Sequence, residues 1–307
     1  MKRVDGSLLS SLDQSWKNFS VAWKYARTKA SEKSVHDLRV STRRLIAILE
    51  LGKTLSTDAG IAKLQRRFKK VLKGMGPLRD TQVLLVQVAR IPKTTLVGDF
   101  KKTLIRRERR EIDDIRGELK RGRKQKLSKA VDGVRSEFGH EAFGQEKVHR
   151  SIERVLTARG NAVLKAQRRF HRSQPTNEDL LHEMRIALKK FRYVVEAAQP
   201  VLGDDAKTRA RELHGFQQLI GDSRDVELLR NALEKWANKK GKKIAVVPAL
   251  DRLEQQRDAL LKKIMDSLTE MEHTLTGTLK PVAERTHATA VNTIQPPKID
   301  MRPVTSG

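Results

Sequence analysis

Cysteine is absent from the 307 residues, which excludes disulfides and thiolate metal sites. Aromatic side chains make up only 4% of the chain, poor equipment for stacking unpaired bases. No uncharged apolar run approaches the roughly 20 residues a membrane span requires. The opening MKRVDGSLLSSLDQSWKNFSV breaks its apolar residues with Asp13, Gln14, Lys17 and Asn18, unlike the continuous apolar core of a signal peptide. The chain is therefore expected to be cytoplasmic and to lack a membrane partner. Acids are scarce as well: 37 Asp and Glu face 64 Lys and Arg, a formal charge of +27. Such an excess repels itself in a compact state unless anions sit among the cations, so the expected partners are polyanions.

What is present is helical pattern, with apolar residues at 38% recurring at helical spacing and no convincing alternating strand. One phrase occurs twice. Residues 35–50 read VHDLRVSTRRLIAILE and residues 181–196 read LHEMRIALKKFRYVVE. At a constant offset of 146, His36 meets His182, Arg39 meets Arg185, Arg43 meets Lys189, Arg44 meets Lys190 and Glu50 meets Glu196. The apolar positions Leu38, Leu45 and Leu49 meet Met184, Phe191 and Val195. A second pair, MGPLRDTQVLL at 75–85 and IGDSRDVELLR at 220–230, aligns Arg79 with Arg224 and Asp80 with Asp225. The pattern predicts an all-α fold of two repeats, about 8–122 and 146–280, within one domain over 8–290. Each repeat is read as five helices in the same order. In the first, a helix over 8–29 precedes the repeated phrase, capped by Ser31 or Ser34, and others cover 58–73, 77–91 and 95–121. In the second, Thr176 and Asp179 form a capping box opening the repeated phrase, and a helix from 205 ends at Ile220-Gly221. Asp222 and Asp225 have capping spacing for the helix after it, so Asp80 and Asp225 are read as structural caps. The Gly-, Lys- and Arg-rich stretch 120–146 reads as a connector, and 291–307, with Pro296, Pro297 and Pro303, as a disordered tail.

At about 100° per residue, His36, Arg39 and Arg43 fall within roughly 60° of one another on a helix, opposite the leucines. His182, Arg185 and Lys189 repeat the arrangement with Tyr193 among them, and Arg44 and Lys190 flank the two faces. Guanidinium forks suit phosphate oxygens and lysines add mobile point charges, while Glu50 and Glu196 can each hold a cation in place. A solvated helix face is usually charged, but solvation does not select matching His, Arg and Glu positions in two copies. On the helix at 58–73, Lys63, Arg66, Lys69, Lys70 and Lys73 share one side; the second repeat offers only Arg211, His214 and Gln218 at the matching places. Arg79 and Arg224 are further candidates. Arg257 lies on the apolar stripe of Leu250, Leu253, Leu261, Ile264 and Leu268, so it is either ion-paired inside or borders a polar channel.

These residues resemble the conserved histidine α-helical domain family, abbreviated CHAD. The resemblance rests on HDLRVSTRRL with LHEMRIALKKFRY and on the two Gly-x-x-Arg-Asp junctions in order, and it covers about residues 8–280. It implies a duplicated antiparallel bundle, two four-helix bundles with pseudo-twofold symmetry, around a basic central cavity that binds inorganic polyphosphate. Carried over by position, it places His36, Arg39, Arg43, His182, Arg185 and Lys189 at the polyphosphate, with Arg44, Lys190, Arg192 and Tyr193 as neighbours. Members often carry a further Arg where this chain has Ile46, the counterpart of Arg192, which weakens symmetric use of the two faces. Association with polyphosphate granules is a further implication.

An enzyme is the first rival reading. The triphosphate-tunnel hydrolase domain that often accompanies the family carries Glu-x-Glu-x-Lys, which is missing. The Gly-x-x-x-x-Gly-Lys-Ser/Thr phosphate loop and the His-Glu-x-x-His metal pair are missing as well. An accessory module to a polyphosphate- or triphosphate-metabolising enzyme is an alternative. Generic nucleic-acid binding is the other, since +27 confers non-specific affinity. The expectation is a non-enzymatic polyphosphate binder with no cofactor and no metal, and only non-specific affinity for nucleic acid.

Overall fold

The computed structural model describes residues 5–120, 123–140, 144–173 and 177–279. These form ten α-helices: α1 Asp5–Thr28, α2 Glu32–Leu55, α3 Ala59–Gly74, α4 Gly76–Val88, α5 Thr95–Lys120, α6 Arg123–His140, α7 Gln145–Arg172, α8 Glu178–Leu202, α9 Asp204–Lys239 and α10 Lys243–Leu279. No strand occurs among the described residues, so the all-α reading holds. The tail 291–307 and Thr176 lie outside the described residues.

The two copies of the repeated phrase are α2 and α8. Ser31 caps α2, its side chain accepting from Ser34 N at 3.3 Å. Asn177 caps α8, accepting from Leu180 N at 3.1 Å. Leu38, Leu45 and Leu49 on α2, and Met184, Phe191 and Val195 on α8, are fully buried. Burial of one stripe turns the opposite stripe, with its cations, away from the core.

Two expected boundaries are corrected. The stretch 120–146 is not simply a connector, because α6 occupies much of it. Leu127, Val131, Val134 and Phe138 recur at i, i+4, i+7 and i+11 and are buried, a stripe diluted by surrounding lysines and glycines. Nor does α9 break at Gly221. Its 36 residues run straight through Asp222 and Asp225, which are therefore not caps. The first repeat does break, at Met75 between α3 and α4, with Pro77 in the first turn of α4. Proline removes a backbone donor and clashes with the preceding turn, at a cost of about 3 kcal/mol, whereas a lone glycine in a helix costs about 1 kcal/mol. Packing along α9 outweighs the smaller penalty. Asp80 is no cap either, since Met75 opens α4 without a side-chain cap bond.

Two hydrophobic cores result. The larger gathers α1, α2, α3, α6, α7 and α8 with Leu78 at the start of α4, the end of α5 (Ile115, Leu119), the first part of α9, through Ile220, and the second part of α10, from Leu261. The smaller is built from α4 from Leu84 onward, the start of α5 (Val97, Phe100, Leu104), the end of α9 (Val226, Leu229, Leu233) and the start of α10 (Val246, Leu253). On α4 the passage between cores falls between Leu78 and Leu84, and on α9 between Ile220 and Val226. Those intervals hold the two Arg-Asp pairs. In the larger core, Gly52 of α2 meets α6 so closely that an added Cβ would press into the ring of Phe138. Gly52→Ala is accordingly expected to destabilise the fold by about 1–3 kcal/mol, as overpacking does, read as a lower denaturant midpoint.

Candidate functional site

α2 packs on α8 and α4 packs on α9, so the repeated basic faces and the Arg-Asp pairs converge at the passage between the two cores. The centre of the group is Lys189. Burial, reinforced by Arg43, Arg185, Arg39 and Arg192, pushes its amine down to about 6. Arg39 is moved to about 10 by burial and then by Arg43, with Asp80 acting in the opposite direction and Arg79 and Arg185 adding to the fall. Its Nη1 donates to the Leu72 carbonyl at 3.1 Å, which ties it to the last turn of α3. Arg185 is lowered by burial, opposed by Asp225 and reinforced by Arg43 and Arg224. Among the described residues Arg39, Arg43, Arg185 and Lys189 make no ion pair, and Arg185 Nε is buried without a hydrogen-bond partner. Three arginines and the Lys189 amine, drawn from two helices, thus approach one another with no ion-paired carboxylate, an arrangement that keeps the amine neutral until an anion joins them.

The histidines stand at the exposed edge of this group. His36 is lowered by burial and then by Arg79, and His182 by burial and then by Arg185 and Arg224. Both therefore favour the neutral imidazole in the free protein. Asp225 is raised by burial, with Arg185 and Arg79 pulling it down, so it senses cations of both repeats. Asp80 likewise influences both Arg39 and Arg185. These two aspartates belong to the electrostatics of the group, a role that their reading as caps missed. The matching Arg-Asp spacing in the two repeats was the available signal.

Several sequence candidates stand elsewhere or are engaged. Arg192 is buried, its Nε donating to Gln217 Oε1 at 2.9 Å and its Nη1 paired with Glu196. Its guanidinium lies 4.3 Å from the centre of the Tyr193 ring, and Tyr193 itself is buried in the larger core rather than displayed on the basic face. Arg44 pairs with Glu196 of the other repeat at 3.2 Å. Glu50 accepts from Arg159 Nε at 2.6 Å, so each repeated glutamate does hold a cation, though not one from its own face in the case of Glu50. Lys190 lines a separate groove between α7 and α8 with Arg159, Lys165, Arg169 and Glu183. Arg66, Lys69, Lys70 and Lys73 are exposed on α3, whose last turn Arg39 reaches; Lys69 Nζ donates to Gln65 Oε1 at 3.4 Å. Arg211 and His214 are exposed on the first half of α9. Arg79 pairs with Glu32, and Arg224 with Glu227 at 3.1 Å. Arg257 resolves to the ion-paired alternative: its side chain is 12% exposed and meets Glu254 at 2.8 Å and Glu178 at 3.4 Å.

Fold and site together define an all-helical protein organised around a repeated basic helix face. A family profile described as the CHAD domain matches residues 11–234, and the chain belongs to that family. The crystal structure of the CHAD domain from the plant Ricinus communis is similar to it, with a TM-score of 0.65 at 16% identity, covering 89% of this chain and 91% of that one. At that identity the likeness speaks for the fold. Comparison with curated protein sequences gives no match.

Proposed function

We propose that the cations converging between α2 and α8 bind inorganic polyphosphate and hold it without turnover. The observation that carries the reading is the approach of Arg39, Arg43, Arg185 and Lys189 with no carboxylate in contact among the described residues. A chain of phosphates supplies repeated negative charge and acceptor oxygens for the forked donors. Membership of the CHAD domain family and the paired His-x-x-Arg motifs support polyphosphate over other polyanions. Burial of Tyr193 removes the aromatic ring that a base-stacking site on these faces would use. Attraction by the net charge of +27 delivers the anion, and release of its counterions drives binding. Cells that store polyphosphate in granules would hold the protein there.

Polyphosphate that binds only the native state raises the melting temperature as its concentration rises above Kd. With four cations neutralised at about −0.7 each, the log–log salt slope of the affinity is expected near about −3. A thermal-shift titration repeated at three salt concentrations checks both. No shift at saturation would mean that the anion associates with the surface without preferring the folded chain.

A further inference from the structure

A second cationic surface lies on the outer side of α1, apart from the group between α2 and α8. It is a groove of about 360 Å³ where α1 meets the start of α6, lined by Lys17, Val21, Trp23, Lys24, Arg27 and Lys124. Among the described residues none of these four cations makes an ion pair, and the lining contains no carboxylate. The groove also offers apolar surface. Val21 in the lining is 51% exposed, and Tyr25, one turn further along α1 and outside the lining, is 53% exposed; Trp23 is buried beneath them at 2% exposure, packed on Phe19 at 5.5 Å. Lys17, Val21 and Lys24 recur at i, i+4 and i+7, so cations and apolar side chains alternate along one stripe of the helix.

We infer that this groove is a docking surface for an acidic, amphipathic peptide segment of another protein, whose carboxylates meet Lys17, Lys24, Arg27 and Lys124 while an apolar side chain lies on Val21 and the aliphatic stems of Lys17 and Lys24. The lining decides among occupants. Polyphosphate has no apolar surface, and would leave Val21 and Tyr25 in water. A second copy of this chain carries the same strong positive charge and is repelled. The chain's own residues 280–307 hold Lys280, Arg285, Lys298 and Arg302 against Glu284 and Asp300, which is the wrong sign. A flat anionic bilayer does not fill a concave groove between two helices. An acidic amphipathic helix matches in both charge and apolar contact, a recognised mode of peptide docking.

The test uses the full chain and a dye-labelled model peptide of glutamates with leucines at helical spacing, followed by fluorescence anisotropy. An all-polar acidic peptide of equal charge and phosphatidylglycerol vesicles serve as comparisons. The amphipathic peptide is expected to bind at least about tenfold more tightly than the all-polar one. Val21→Ser and Lys24→Glu, both exposed and neutral for folding, are each expected to lower that affinity about fivefold to tenfold, the size of one apolar contact or ion pair. Arg39→Ala with Arg185→Ala leaves it unchanged, which separates this surface from the polyphosphate reading. Equal binding of the two peptides, insensitivity to Val21→Ser, or binding to vesicles alone would each overturn the inference.

Discussion

Replacing Arg39 and Arg185 together by alanine is expected to weaken polyphosphate binding by about a hundredfold or more, since each charge-assisted hydrogen bond contributes about 1.5–3 kcal/mol. The two guanidinium groups come from different repeats, yet each is influenced by the other's surroundings. Arg39 senses Arg185, and Arg185 senses Arg43. Removing both takes a forked donor from each side of the site and leaves the core residues Leu38 and Met184 in place. The informative comparison is Lys126→Ala with Lys129→Ala, which removes the same net charge from exposed positions on α6. Screened surface charges of that kind contribute little, and a loss of only a fewfold is expected. Equal losses in the two double variants would mean that net charge alone sets the affinity, measured by titration of labelled polyphosphate at one salt concentration.

Lys189→Met is expected to move stability and binding in opposite directions. In the free protein the amine is buried among four arginines and held down to about 6 from an ordinary value of 10.5. Between those values the unfolded chain carries a proton that the folded chain does not, so wild-type stability rises with pH at up to about 1.4 kcal/mol per unit from this group. Methionine fills similar space without an amine to desolvate. It should therefore raise the melting temperature without ligand by a few degrees, for about 1–3 kcal/mol gained, and the advantage should grow as pH falls from about 10 towards 6. Binding responds with the other sign. A polyanion favours the protonated amine, so complex formation takes up a proton above pH 6 and affinity increases as pH falls, by up to about one decade per unit for one proton. His36 and His182, also lowered in the free protein, add to the uptake. In the methionine variant affinity drops about tenfold near neutrality and the pH slope falls by about one proton. Unchanged slopes would show that Lys189 stays neutral in the complex or lies away from the ligand.

Much of this was legible in the residues themselves. A repeated phrase with cations on one stripe and leucines on the other requires two equivalent helices, and these are α2 and α8. The Gly76-Pro77 break was legible because proline cannot continue the helix before it. Gly221 misled because the penalty for one glycine is small and the reward for a continuous α9, which joins two cores, lies in tertiary packing invisible along the chain. The stripe Leu127, Val131, Val134 and Phe138 was hidden by the basic, glycine-containing composition around it. At the site, helical spacing brought Arg39, Arg43, Arg185 and Lys189 together on paper. It could not place Arg192, whose partners Glu196 and Gln217 come from its own helix and from α9. Nor could it send Lys190 into the α7–α8 groove, because one residue of rotation separates that groove from the basic face. Asp80 and Asp225 read as caps because capping spacing is a local signal and their cationic neighbours are distant in sequence.

The most direct test of the account is a competition titration at physiological salt. Labelled long-chain polyphosphate is displaced by DNA or RNA matched in phosphate concentration. Preplaced guanidinium forks between α2 and α8 predict that polyphosphate stays bound against a large excess of either nucleic acid. Displacement phosphate for phosphate would contradict the account and leave a helical protein whose basic faces attract any polyanion alike.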